Sequence, residues 1–126
     1  MINNAISQFG QRMGLPALAL DEHGLAALDV DGVGRIHLEM NNAENHNEFL
    51  IYLSTPVPPH DTDLPKRALN LAHYKHGHPY NISTGLNNDN LIIIASLTES
   101  EVTVQNLENA VIFLMNLSQK ITSVGG

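Results

Sequence analysis

Between Leu15 and Ser54 short apolar runs alternate with acidic or glycine turns. Leu18-Ala-Leu20 leads into Asp21-Glu-His-Gly24, Leu25 to Val30 into Asp31-Gly32, Gly34 to Met40 into the polar loop Asn41 to Asn47, and Glu48 to Ser54 stops before Pro56. Asp-Gly and Gly supply the positive φ that tight turns require, so this stretch predicts three hairpin-linked strands. Ile36, Leu38 and Met40 alternate with Arg35, His37 and Glu39, the period of a strand wet on one face. Glu48 to Ser54 breaks that rule, because Leu50 and Tyr52 lie opposite Phe49, Ile51 and Leu53 and demand cover on both faces.

Helical spacing appears three times. Ile2, Ala5, Ile6, Phe9 and Met13 predict a short amphipathic helix stopped by Gly14 and Pro16. Three prolines between Ser54 and Thr62 predict an extended connector and not a strand. Asp63 is placed to cap a second helix, with Leu64, Ala68, Leu71 and Ala72 on one side and Lys66, Arg67, Asn70 and His73 on the other, ending by Gly77. Asn81 to Asn87, the turn Asn88-Asp89 and Leu91 to Ala95 predict a second hairpin. Thr98 and Glu101 have capping-box spacing ahead of a long helix through Leu107, Val111, Leu114, Ser118 and Ile121. The expected fold is α+β, a five-stranded antiparallel twisted sheet with three helices in the order α-β-β-β-α-β-β-α, as one domain over residues 1–126.

Charge narrows the range of partners. Thirteen acidic against six basic residues leave a net charge of −7, which disfavours phosphate backbones and anionic membranes and suits a basic partner. No nucleic-acid binding is expected. Cysteine is absent, which removes disulfides, thiolate nucleophiles and Cys-type zinc sites. No apolar run approaches the roughly 20 residues of a bilayer span, and Met1 to Ser7 lacks the pattern of a signal peptide, so no membrane insertion or export is expected.

Candidate chemistry is sparse. His73, His76 and His78 cluster where the second helix should end, and a His-dependent metal site or small enzyme built on them is the alternative to a plain surface helix end, which itself favours cationic side chains. His23, His37, His46 and His60 are scattered over turns and a polar strand face. Asp21, Glu22, Asp29 and Asp31 read as turn carboxylates, since Asp hydrogen-bonds nearby backbone and no calcium-loop pattern surrounds them. Neither a Gly-x-Ser-x-Gly elbow nor a phosphate-binding loop occurs, and Asp31-Gly-Val-Gly34 precedes a strand where a helix would be needed. The chain therefore reads as a non-enzyme without cofactors. Its apolar surplus, in Phe49 to Leu53 and Leu91 to Ala95, is either covered by the helices or left open as a seam for a second copy together with a docking groove. The sheet's outer strands are able to accept an extended peptide.

Several phrases carry a family likeness: Leu18-Ala-Leu-Asp-Glu-His-Gly24, Leu28-Asp-Val-Asp-Gly32 before Arg35-Ile-His-Leu38, Ala68-Leu-Asn-Leu-Ala-His-Tyr74 leading to Gly77, and the hairpin Gly85-Leu-Asn-Asn-Asp-Asn-Leu91. With the segment order, they resemble the class I chaperones of bacterial type III secretion, the family of the Tir chaperone. The three-proline connector and the His-rich helix end depart from the family pattern. The resemblance implies a cytoplasmic bacterial homodimer that uses no nucleotide. It would hold the N-terminal chaperone-binding segment of an effector extended, keep it soluble and help deliver it to the secretion apparatus, with the secretion ATPase as a further partner. It implies dimer contacts at Leu64, Leu71, Ile82 and Leu86, and effector grooves at Ile6, Phe9, Leu28, Val30, Ile36, Leu50 and Tyr52. A regulatory or scaffold domain of the same fold, binding a folded partner, is the other reading.

Overall fold

Periodicity becomes architecture through one sheet. The computed structural model describes residues 2–30, 34–43, 46–57, 63–64, 66–68, 81–87 and 89–122. Five strands, β1 (Leu25–Val30), β2 (Gly34–Ala43), β3 (His46–Pro56), β4 (Asn81–Asn87) and β5 (Asn90–Thr98), form one antiparallel sheet in the order β1-β2-β3-β5-β4. Helix α1 spans Ile2–Arg12, residues 64 and 66–68 are helical, and α2 spans Val104–Thr122. The α+β fold with three helices on a five-stranded antiparallel sheet is thus the observed one.

Register aligns the apolar positions into one core face. Leu28 pairs with Ile36, Ile36 with Leu53, Leu38 with Ile51, and Leu53 with Ile93. Directly paired residues point the same way, so these side chains form a continuous apolar layer. Onto it pack Ile6 and Phe9 of α1, Leu64 and Ala68, and Leu107, Ala110, Leu114 and Ile121 of α2, all buried. Each large apolar side chain so buried stabilises the fold by roughly 1.5–3 kcal/mol. The two terminal helices contact one another, and the Arg12 guanidinium donates to the Glu108 carboxylate across their seam. Arg67 Nε donates to Ile121 O at 2.9 Å, tying the central helical residues to the end of α2.

The structure corrects several local expectations. The polar stretch Asn41 to Asn47 is mostly ladder, since Asn41 pairs with Glu48, Asn42 with Asn47 and Ala43 with His46. Main-chain pairing does not require apolar side chains, so the polar composition hid the strand ends. Strand β5 likewise runs beyond Leu91 to Ala95 at both ends, and β3 does not stop at Ser54 but continues through Thr55 and Pro56, opposite Leu91 and Asn90, since a proline is tolerated at a strand's end. Met13 lies past the end of α1 and is exposed, with Gly14 at φ +77° completing the stop. The Thr98–Glu101 pair caps a 3₁₀ turn, Glu99–Glu101, ahead of α2: the Glu101 carboxylate accepts from Thr98 N–H at 2.8 Å and Thr98 Oγ1 at 2.9 Å. The cap of α2 is Thr103, whose Oγ1 accepts from Asn106 N–H at 3.1 Å. Leu71, the Asp31-Gly32 turn and His73, His76 and His78 lie outside the described residues.

Candidate functional site

One end of the sheet is built around Asp21. Its Oδ1 accepts from His23 N–H at 2.8 Å and Leu25 N–H at 3.0 Å, and its own N–H donates to Leu25 O at 2.8 Å. Those two donated bonds hold the Asp21 carboxyl below its ordinary range, the one from Leu25 first. Asp21 thus serves the turn. Asp29, expected in a turn, instead lies within β1, where Arg35 approaches it at 3.8 Å with both side chains largely exposed.

The Asp21 bonds also set the polarity of the strand edge. Leu25 directs both main-chain groups away from β2, whereas Gly24 O accepts from Met40 N–H at 2.9 Å across the ladder. Antiparallel pairing alternates, so Ala26, Leu28 and Val30 bond to β2 while Ala27 and Asp29 aim N–H and C=O at the open edge. Among the described residues, no main-chain group meets those of Ala27 or Asp29.

Beside this edge is a slot. Residues 15–19 run past β1 and enclose with residues 26–29 a cavity of about 360 Å³. Ala17, Ala19, Ala26 and Ala27 keep its walls low, while Leu18 turns inward against Gly10. A Cβ on Gly10 would lie 2.6 Å from Leu15 O and 2.7 Å from Leu18 Cβ, so the glycine permits the connector to close on α1. Leu15, in the lining of the slot, is exposed. An open main-chain edge beside a low-walled apolar slot is suited to an extended chain with side chains on alternate sides.

The opposite sheet face carries a second apolar strip. Leu50, Tyr52, Ile92 and Ile94 are half-buried, and Tyr52 pairs with both His37 and Ile94. Tyr52 Oη donates to the Glu39 carboxylate. Burial first, then that bond and the charges of Glu39 and Glu48, push the phenol up to about 12.

The expected site residues divide between these places. Ile6, Phe9, Leu28 and Ile36 are buried in the core, and of these Leu28 lines the slot. Val30 is half-buried at the end of β1, and Leu50 and Tyr52 lie on the opposite face. Of the residues expected at a dimer contact, Leu64 is fully buried in its own core, Ile82 is half-buried on edge strand β4, and Leu86 is 50% exposed beside it. The alanines of the slot and the outward main chain of Ala27 and Asp29 were missed, because small side chains carry little periodic signal and hydrogen-bond direction leaves none. The pairing of small residues in Ala17-Leu-Ala19 with Ala26-Ala27 is the one sequence trace of the slot.

Comparison with known proteins bears on the whole chain. The family profile described as type III secretory system chaperone SycN matches residues 1–122. No curated protein matches in sequence. A chain in the crystal structure of the Yersinia pestis type III secretion chaperone SycH, in complex with a stable fragment of YscM2, superposes with a TM-score of 0.71 at 16% identity, over 96% of this chain and 99% of that one. A chain of the ExsC-ExsE complex gives 0.75 at 21% identity, over 98% and 92%. A chain of the ExoU-SpcU heterodimeric complex from the type III secretion system of Pseudomonas aeruginosa gives 0.61 at 15%, over 98% and 96%. At these identities the structural likeness establishes the fold.

Proposed function

The chain belongs to the type III secretory system chaperone SycN family, and from that premise we propose that it binds the N-terminal chaperone-binding segment of a secreted effector and holds it extended and secretion-competent. The observation that carries this reading is the open edge of β1, where Ala27 and Asp29 offer main-chain donors and acceptors beside an apolar slot. Main-chain bonds give affinity for any extended segment, and the slot takes alternate side chains. A segment ordered only on binding loses conformational entropy, so a preformed surface with several apolar anchors is required. Leu50 and Tyr52, with Val30, extend the client surface beyond the slot, which Leu28 lines. An acidic surface keeps such apolar openings soluble.

The same reading includes a homodimer, with Ile82 and Leu86 of β4 at the contact. It is a single chaperone domain over residues 1–126, acts in the bacterial cytoplasm without catalysis, and hands its client to the secretion ATPase. No described helix is long and apolar enough to cross a membrane. Co-expression with an effector from the same cell is the test. A complex with two copies of this chain, in which the client segment is unstructured when free and gains amide protection when bound, is expected. A monomer in light scattering that binds no extended effector segment would overturn the reading.

A further inference from the structure

Tyr52 shares the sheet face away from the helices with a histidine. His37 of β2 pairs with Tyr52 of β3, their ring centroids are 6.3 Å apart, and both residues are half-buried. Ile94 stands across the next ladder from Tyr52, and the small Ala27 stands across the β1 ladder from His37. A chain laid over Tyr52 therefore also covers His37. His23 differs, since it lies in the Asp21 turn with its ring open to water.

The charged groups around His37 come from three strands. Asp29 faces it from β1, Arg35 and Glu39 flank it on β2, and Tyr52 meets it from β3, with Glu48 beyond and acting on Tyr52. Strand β5 contributes only the uncharged Ile92 and Ile94 to the neighbouring strip. Neither near carboxylate is set to receive a protonated imidazole: Asp29 is loosely engaged by Arg35 at 3.8 Å, and Glu39 accepts from Tyr52 Oη. Burial first, then the like charge of Arg35, hold the His37 pKa below its ordinary value, with Asp29 opposing. The ring is thus neutral near pH 7 and takes up its proton on acidification.

Covering a charged ring costs far more than covering a neutral one, because the imidazolium gives up its hydration. Building on the extended-client reading, we infer that His37 is a proton-operated release switch for the part of the client that lies on this face. Neutral, its ring joins Leu50, Tyr52 and Ile94 beneath the client. Protonated, it rejects that cover, so client and proton exclude one another. Linkage fixes the sign: binding expels the proton, and affinity is complete where His37 of the free chain is neutral and falls as pH drops through its titration. The limiting slope is about tenfold in affinity per pH unit for one competing proton.

Calorimetry of the full chain with the effector segment it protects tests the inference from pH 7.5 to 5.5, in two buffers of different ionisation enthalpy, with circular dichroism confirming that each free chain stays folded. His37→Gln keeps a polar side chain but cannot titrate, so its comparison with the parent cancels protons taken up by the client itself. The parent's affinity should fall about threefold to tenfold further than that of His37→Gln over this range, and the parent should release the additional proton. Arg35→Gln removes the like charge and should move the fall to higher pH, whereas Asp29→Asn should move it lower. Equal pH profiles or equal proton release for the parent and His37→Gln, or an unmoved fall in both charge variants, overturns the inference and leaves the chaperone reading standing. A chain that holds no effector at any pH overturns both.

Discussion

Tyr52 stands directly across the β2–β3 ladder from His37, their ring centroids 6.3 Å apart and their planes tilted by 49°. The pair sits on the sheet face away from the helices, bordered by Glu39 and Arg35 on β2, Asp29 on β1, and Ile94 on β5. Two ionisable groups are thereby drawn into a half-buried strip, and each leaves a signature in the pH dependence of stability.

For His37 the signature is acidic. Its pKa is lowered, chiefly by burial and then by the charge of Arg35, with Asp29 opposing. The unfolded chain therefore binds this proton more readily than the fold. Stability is complete above the ordinary value of 6.5 and falls as pH drops from there through the lower folded value. His37→Phe, which keeps a ring beside Tyr52, should flatten the decline between about pH 7.5 and 5.5 in urea unfolding. An unchanged slope would show that His37 does not titrate against the fold.

For Tyr52 the signature is alkaline. A phenol raised from 10.0 to about 12 contributes stability that is present below pH 10 and is lost as pH rises toward 12. Tyr52→Phe should cost about 1–2 kcal/mol at pH 7, the loss of one hydrogen bond to a charged acceptor. The gap between variant and parent should close in the alkaline range, as measured by chemical denaturation at pH 8 and pH 11.5.

Glycines 10 and 85 should respond to alanine with opposite signs. At Gly10 the helix gains about 1 kcal/mol of propensity, but the new Cβ meets Leu15 O at 2.6 Å and Leu18 Cβ at 2.7 Å. Forcing backbone apart costs about 1–3 kcal/mol, so the clash wins. At Gly85 nothing lies within 4 Å of an added Cβ, and alanine should be neutral or stabilising by about 0.5–1 kcal/mol. Thermal unfolding of the two variants checks the contrast.

Neighbours in sequence on β3 should differ as much. Phe49→Ala removes a fully buried ring and should destabilise by about 3–5 kcal/mol. Leu50→Ala, on the half-buried opposite face, should cost about 1 kcal/mol. If the chaperone reading holds, client binding should weaken more for Leu50→Ala than its small stability loss explains, as read by calorimetry at a temperature where both variants are folded.

Legibility in the sequence followed the physics of each signal. Alternation in Arg35 to Met40 and turn residues such as Gly24 are local, and the structure keeps both. The capping spacing of Thr98 and Glu101 was also legible, yet its product is a 3₁₀ turn, because Val102 is buried and redirects the chain before Thr103 opens α2. Ile6, Phe9, Leu28 and Ile36 show the limit at the candidate site: apolarity marked them, but a core position and a groove position are equally apolar.

By itself the chain determined its element types, their order, the antiparallel pairing and the likeness to a secretion chaperone, since periodicity, turn chemistry and connection length act over a few residues. Only the tertiary structure decided which face of β3 entered the core, that residues 15–19 flank β1 at a slot's width, and that Ala27 and Asp29 turn their main chain outward. Those facts depend on register and on packing between distant segments, which no local pattern of side chains encodes.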